Sequence, residues 1–414
     1  MTRTLYLHIG SHKTGTTSIQ KYLAQNRDAL LKHGYFYPVS STHVNLGSVL
    51  GRTNFPDEMD TEAEASRFQR IKQVAKLITE QNSPHVIAST EGFSYLFDRP
   101  VIEAYHRLLA PEFSTIKVIT YLRRQDLFAI SHHQEGAKPQ DKPAAKLHGH
   151  SPTALPEKGD LQHKYLDYEA RIGLWADIFG DDAMVVRVYD RKALKNGDSI
   201  ADFLDIVGLA DFEGPGADDK NVSMGFMQSK IGHILNDVIT DQHLKASVLN
   251  RLPDTDRLLP RRDDARKFLA PYVDGNRRLN ARFKINDLPN LFSDDFSMFP
   301  ESGNELWTEP TAEAAIRACA EVIELLSMQS VHLAPNDYLA AAKALQSTLP
   351  EIAGKFLIAA QQMRPQSERI KRKIERMANV SSIAQVAVKT VNVPVKPGPA
   401  QRKVGKSRTR LNSL

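Results

Sequence analysis

The residues Gly10-Ser11-His12-Lys13-Thr14-Gly15-Thr16-Thr17-Ser18 follow a short β-rich run and lead straight into a helical pattern. Glycines let the backbone wrap an anion, successive N–H groups point inward, and the helix start adds the positive end of its dipole. Both glycines match the triphosphate-binding pattern G-x-x-x-x-G-K-[ST], but Thr16 stands at its lysine position and the lysine has moved to position 13. A lysine inside the loop suits a phosphate–sulfate anhydride, where one cation lies beside the bridging oxygen that becomes the leaving group. A second pair is Arg123, at the end of an apolar run, and Ser131, eight residues later in RRQDLFAIS. A charged fork, a hydroxyl and a nearby helix N-terminus together suit a dianionic phosphate. The third element is Glu91, just after HVIAS, at the strand edge where open α/β sheets hold their ligands. It could take the proton of an acceptor hydroxyl, or it could cap the turn that follows. His12, His132 and His133 are alternative bases.

The loop resembles the 5′-phosphosulfate loop, Lys-x-Gly-Thr-Thr or similar, of sulfotransferases that use 3′-phosphoadenosine-5′-phosphosulfate (PAPS). In that family an arginine at a strand end and a serine eight residues on hold the 3′-phosphate, which implies those roles for Arg123 and Ser131. Many relatives read Arg-Asp-Pro where this chain reads Arg123-Arg124-Gln125, and spacing favours Arg123. Glycan-modifying members carry a glutamate in segments similar to Glu-Lys-x-Pro-x-Tyr-Phe; Glu91 before Ser94-Tyr95-Leu96-Phe97 matches in part, without the lysine and proline. The resemblance covers residues 4–210. It implies PAPS as co-substrate without a metal, and in-line transfer of a sulfuryl group to a hydroxyl acceptor, a carbohydrate or glycolipid. Lys13 and Glu91 would be catalytic, Lys13, Thr14, Gly15, Thr16 and Thr17 would hold the 5′-phosphosulfate, and Arg123 and Ser131 the 3′-phosphate. Two other readings stay open. A P-loop kinase or nucleotidase using Mg-ATP would need Glu91 as its acidic metal partner, and a non-catalytic nucleotide-fold protein would bind a membrane or partner instead. Asp219–Ser223, before a helix, is a candidate to close over the nucleotide or a plain helix cap.

The elements that must position these residues form an α/β pattern: a P-loop-type parallel sheet flanked by helices, an α-rich C-terminal part and a basic flexible tail. Strands are expected at Thr4–Ile9, Tyr35–Tyr37, His85–Ser89, Ile116–Leu122 and Met184–Val188, and helices at Thr17–His33, Glu62–Gln81, Gln125–Glu135 and Ser199–Val207. Phe68, Ile71, Val74, Ala75 and Ile78 share one face of the second helix. Gly136–Gly159, with four prolines and four lysines, reads as a long exposed loop. The expected domains are 1–226, the α/β domain; 227–363, α-rich, with helices at Ala312–Leu326 and Asp337–Leu345; and 364–414, a largely disordered tail.

The chain has 414 residues, 41% of them hydrophobic and 25% charged, which suits two or three globular domains and excludes fibrous or wholly disordered classes. No run approaches the roughly 18 apolar residues of a membrane span. The net charge of +5 is a property of the tail: residues 364–414 hold 13 Lys/Arg against 2 Asp/Glu, leaving residues 1–363 with 41 against 47. The folded body is acidic, so a nucleic-acid partner is not expected. The tail, with Arg369, Lys371, Arg372, Lys373 and Arg376, is either a solvated helix or a patch for an anionic surface. One cysteine, Cys319, cannot form an internal disulfide, and no zinc spacing occurs. The expected location is cytoplasmic, with the tail a candidate for peripheral contact at the inner face of a membrane.

Overall fold

The computed structural model describes residues 2–38, 64–139, 143–216, 224–253, 255–329, 335–347 and 350–378. The candidate closing segment Asp219–Ser223 and the tail beyond Ala378 lie outside them. Five strands, β1 (Thr4–His8), β2 (Tyr35–Phe36), β3 (His85–Ser89), β4 (Thr115–Leu122) and β5 (Met184–Val188), form one all-parallel sheet in the order β2-β3-β1-β4-β5. Parallel pairing needs crossovers. These are supplied by α1 (Thr16–Gln25), α2 (Arg27–Lys32), α3 (Glu64–Thr79), α4 (Arg99–Leu109), α5 (Gln125–Gly136), α6 (Pro143–His148), α7 (Asp160–Leu166) and α8 (Tyr168–Phe179), with α9 (Ser199–Ile206) after β5.

Side chains alternate between the two faces of the sheet, and each face has its own core. Leu5, Leu7, Val86, Ala88, Val118 and Leu122 pack with Ile71, Ile102, Tyr105 and Trp175. On the other face Ile87, Ile119 and Tyr121 pack with Ile19, Leu23, Phe203 and Leu204. On α3, Ile71, Val74, Ala75 and Ile78 are buried as expected, but Phe68 is 41% exposed. The expected single helix Thr17–His33 is two. Asn26 breaks it: its side-chain amide donates to the Tyr22 carbonyl at 2.9 Å and to the Pro215 carbonyl at 3.2 Å, a local bond that competes with helix continuation.

The segment 136–159 departs from the exposed loop expected of it. Pro143 opens α6, and Ala144, Leu147 and His148 are buried, as is Ala154. Proline is well tolerated in the first turn of a helix, so composition hid the apolar face of PAAKLH.

Beyond the sheet, α10 (Phe226–Val238), α11 (Gln242–Leu249), α12 (Arg262–Leu269), α13 (Val273–Phe283) and α14 (Glu309–Gln329) continue the α-rich part. The chain divides into two compact units, Met1–Ile323 and Glu324–Leu414. The second unit contains α15 (Pro335–Leu345), α16 (Pro350–Met363) and α17 (Glu368–Ala378), around Ala342, Leu357, Ala360, Ile370 and Ile374. The start of the expected tail is therefore an amphipathic helix, with Ile370 and Ile374 inside and Arg369, Arg372 and Arg376 exposed. Among the described residues no helix is long and apolar enough to cross a membrane.

Candidate functional site

Register carries three loops to one edge. His8 of β1 lies opposite Ser89 of β3 and Ile119 of β4, so β1 and β3 end at the same level while β4 runs three residues farther, to Leu122. The ladder continues past β1, with Tyr121 N–H donating to the Gly10 carbonyl at 2.8 Å and Ser11 N–H to the Tyr121 carbonyl at 3.1 Å. Residues 10–18, Glu91 and Arg123 therefore meet at the C-terminal edge, beside the central strand, where such sheets bind ligands.

Within the loop the two glycines are dictated by space and backbone. Gly10 has φ +99°, and a Cβ there would lie 3.1 Å from the Glu91 Cα; Gly15 has φ +77°, and a Cβ there would lie 2.5 Å from the Ser199 Oγ. Thr14 and Thr16 turn their hydroxyls onto the Ser11 carbonyl, at 2.6 and 3.0 Å, while Thr17 is exposed. Helix α1 then starts with no side-chain cap and no acidic residue in its first turn. No cap side chain therefore competes with an anion for the positive end of the helix dipole.

Lys13 has a left-handed backbone (φ +59°), and its ammonium pairs with Glu135 of α5 at 3.0 Å. Glu135 also pairs with Lys138 at 3.0 Å. Burial pushes the Glu135 carboxyl up, but the two lysines outweigh it and hold its pKa down at about 2. Arg123 reaches the same loop, Nη1 donating to the Lys13 carbonyl at 3.4 Å. Its neighbour Arg124 points elsewhere: it is buried, bonded through both Nε and Nη2 to Asp126 at 2.8 and 2.9 Å, and donates to the Ser293 and Asp295 carbonyls. Ser131 is half-buried on α5, one turn before Glu135 and on the same helix face. The loop is thus met by Arg123 and by α5, the helix that carries Ser131.

Glu91 opens a 3-10 turn, Glu91–Tyr95, beside Gly10. The cap of that turn is Thr90, whose hydroxyl accepts from Gly92 N–H at 3.1 Å. Glu91 is left with its carboxylate accepting from the Gln20 amide at 2.8 Å.

The three candidate histidines differ. His12 is enclosed, Nδ1 lying 2.9 Å from the Tyr165 hydroxyl and 3.2 Å from Ser94 Oγ. Burial, then Arg171 and Lys13, lower its pKa to about 3, which makes it a weak base. His133 is buried away from the loop, stacked on His233 at 4.1 Å. His132 lies between, its ring 5.1 Å from that of His12.

Sequence reasoning missed Glu135, Gln20, Tyr165, Arg171 and Arg257. Arg171 is 3% exposed, donates to Ser11 Oγ at 2.8 Å and lies 4.6 Å over the Tyr165 ring. Arg257, from the α-rich part, is near enough to Arg123 that, after burial, its like charge helps to lower the pKa of Arg123. Tyr165, Arg171 and Arg257 come from distant points in the chain, and although Gln20 and Glu135 lie on the helices of the motifs, only tertiary packing makes them partners of Glu91 and Lys13. The run of basic residues in RRDDARK gave no reason to single out the arginine before it.

No family model matches the chain. An uncharacterized protein of Archaeoglobus fulgidus is 30% identical over 125 residues, 30% of this chain and 30% of the relative, so the match spans under a third of that protein's length. Among solved structures, a sulfotransferase from Alicyclobacillus acidocaldarius is similar at 16% identity and a TM-score of 0.37, over 69% of this chain and 97% of that one.

Proposed function

We propose that this chain is a PAPS-dependent sulfotransferase that moves a sulfuryl group to a hydroxyl of a carbohydrate or glycolipid. One observation carries the reading: Lys13 sits inside a glycine-bounded loop at the start of α1, with Arg123 on its carbonyl and the Ser131 face of α5 opposite. A lysine in that place faces an anhydride bridge rather than a terminal phosphate. The cradle fits such a group, since Gly10 and Gly15 leave no room for side chains and the α1 N–H groups have no cap. PAPS would supply the activated sulfuryl group.

In this reading the backbone of Thr14–Thr17 holds the 5′-phosphosulfate, and Arg123 and Ser131 hold the 3′-phosphate. Lys13 neutralises charge on the departing phosphate oxygen. Glu91 accepts the acceptor's proton, and Gln20 keeps its carboxylate turned to the loop. Holding donor and acceptor in line supplies much of the acceleration.

Calorimetric titration of the full chain with adenosine 3′,5′-bisphosphate, against ATP with Mg²⁺, tests this. Binding of the bisphosphate without metal is expected. Preference for Mg-ATP would replace the reading with a kinase or nucleotidase, and silence toward both would favour a non-catalytic protein.

A further inference from the structure

A line of hydrogen bonds runs from the segment 143–162 into α5. The Gln162 amide nitrogen lies 3.1 Å from the Glu157 carbonyl and 3.0 Å from His148 Nδ1. His148 Nε2 lies 3.1 Å from His132 Nδ1. All three side chains are buried, at 1%, 3% and 2% exposure. The ring of His132 lies 5.1 Å from that of His12 in the loop.

Donor and acceptor rules fix every proton on this line. A carbonyl only accepts, so the group facing Glu157 must be the Gln162 NH₂; the flipped amide would set oxygen against oxygen. The second N–H of that NH₂ then faces His148 Nδ1, which must accept. Neutral His148 therefore carries its proton on Nε2 and donates it to His132 Nδ1. That nitrogen in turn accepts, so the proton of His132 sits on Nε2, at the other edge of the ring. Burial keeps both imidazoles uncharged near neutrality, with the pKa of His148 lowered to about 3 and that of His132 lowered as well. Lysine or arginine here would add charge and could swing away; this imidazole is neutral and held.

We propose that Glu157, Gln162 and His148 lock His132 in the Nε2–H tautomer, so that His132 presents a fixed, uncharged donor to the anion held by the loop at residues 10–17. Gln162 and His148 are positioning residues, and His132 is the group that touches the ligand. The donor role rests on the phosphosulfate reading of the loop; the lock does not. A neutral imidazole is a known device for polarising an oxygen without placing a full charge beside it.

The test is the imidazole ¹⁵N spectrum of the full-length chain at neutral pH, with and without adenosine 3′,5′-bisphosphate plus inorganic sulfate. His132→Asn and His148→Asn assign the signals. Expected are acceptor-type Nδ1 and protonated Nε2 shifts for both histidines, and a shift of His132 Nε2 on adding the anions. Gln162→Leu should lose the lock and give averaged shifts at both rings. A protonated Nδ1 at His132, or a single unchanged tautomer in Gln162→Leu, would overturn the lock, and the wild-type spectrum decides if the variant does not fold. Saturation by the bisphosphate with His132 Nε2 unmoved would overturn the donor role alone. No binding of either anion would overturn the phosphosulfate reading and the donor role with it, while a correct tautomer pattern would leave the lock standing.

Discussion

The arginines on the flanks of the first unit and the cations at the sheet edge keep different company. On the flanks, Arg282 meets Asp181 at 2.6 Å and Asp177 at 3.1 Å, Arg278 meets both oxygens of Glu169 at 2.6 Å, and Arg187 takes both oxygens of Asp202. At the edge, Arg123 has a carbonyl at 3.4 Å, Arg171 a hydroxyl, a carbonyl and two tyrosine rings, and Lys13 a glutamate that it shares with Lys138. Among the described residues neither Arg123 nor Arg171 has a carboxylate within ion-pair distance. The flank cations are neutralised inside the fold. At the edge Arg123 and Arg171 keep charge that no carboxylate neutralises, and Lys13 shares its one carboxylate with Lys138; a buried cation without a counter-ion is costly unless something supplies the charge.

The largest break in that comparison is Lys13→Ala. If Lys13 neutralises the leaving oxygen, release of adenosine 3′,5′-bisphosphate from PAPS should fall roughly 10²–10³-fold, the loss typical of removing one donor to a developing charge. The thermal midpoint should hardly move, because the Lys13–Glu135 pair is partly solvated, with 29% and 19% side-chain exposure. A circular-dichroism melt beside the rate assay separates the two effects. Near-normal turnover would remove Lys13 from the chemistry.

Arg123 and Arg124 offer a sharper contrast, since they are adjacent in the chain and opposite in role. Removing Arg124 strands a fully buried Asp126, so Arg124→Ala should cost about 3 kcal/mol or more of stability, read by urea denaturation. Arg123→Ala should leave stability close to wild type and weaken bisphosphate binding about 10–100-fold, the worth of a charge-assisted contact. Equal effects on both readouts would dissolve the distinction between paired and reserved arginines.

How much of this was legible in the sequence follows from how the parts are made. The loop and its two glycines are contiguous, so backbone demands at Gly10 and Gly15 appear as residue types in a row. Arg123 and Ser131 are tied by one strand end and one helix, and fixed spacing survives as a signal. Glu135 lies on that helix too, but only the crossing of α5 over the loop makes it the partner of Lys13. Arg171 reaches Ser11 across 160 residues and Gln162 reaches His148 across 14, both through tertiary packing that leaves no local pattern. Asn26 and the segment 143–148 were misread for the opposite reason. Local composition favoured a continuous helix in one and a loop in the other, and packing against Pro215 and beneath α5 overrode it.

The smallest effect is also the most discriminating for the edge. Glu135 holds Lys13 at 3.0 Å, so an anion in the loop competes with a carboxylate for the same ammonium. Glu135→Gln should release Lys13 and tighten bisphosphate binding about 2–5-fold, the scale of a partly solvated ion pair. The sign of its pH dependence follows from the carboxyl pKa, held at about 2. A carboxylate with its pKa lowered by folding contributes its ion pair above its ordinary range and loses it as pH falls toward that value. The difference between variant and wild type should therefore be constant from pH 8 to pH 5, where Glu135 stays charged, and ligand titration cancels in the pairwise comparison. Calorimetry at those pH values checks it. Weaker binding in Glu135→Gln would mean that Glu135 orients Lys13 for the anion rather than competing with it, and the edge would then be built from positioned pairs like the flanks.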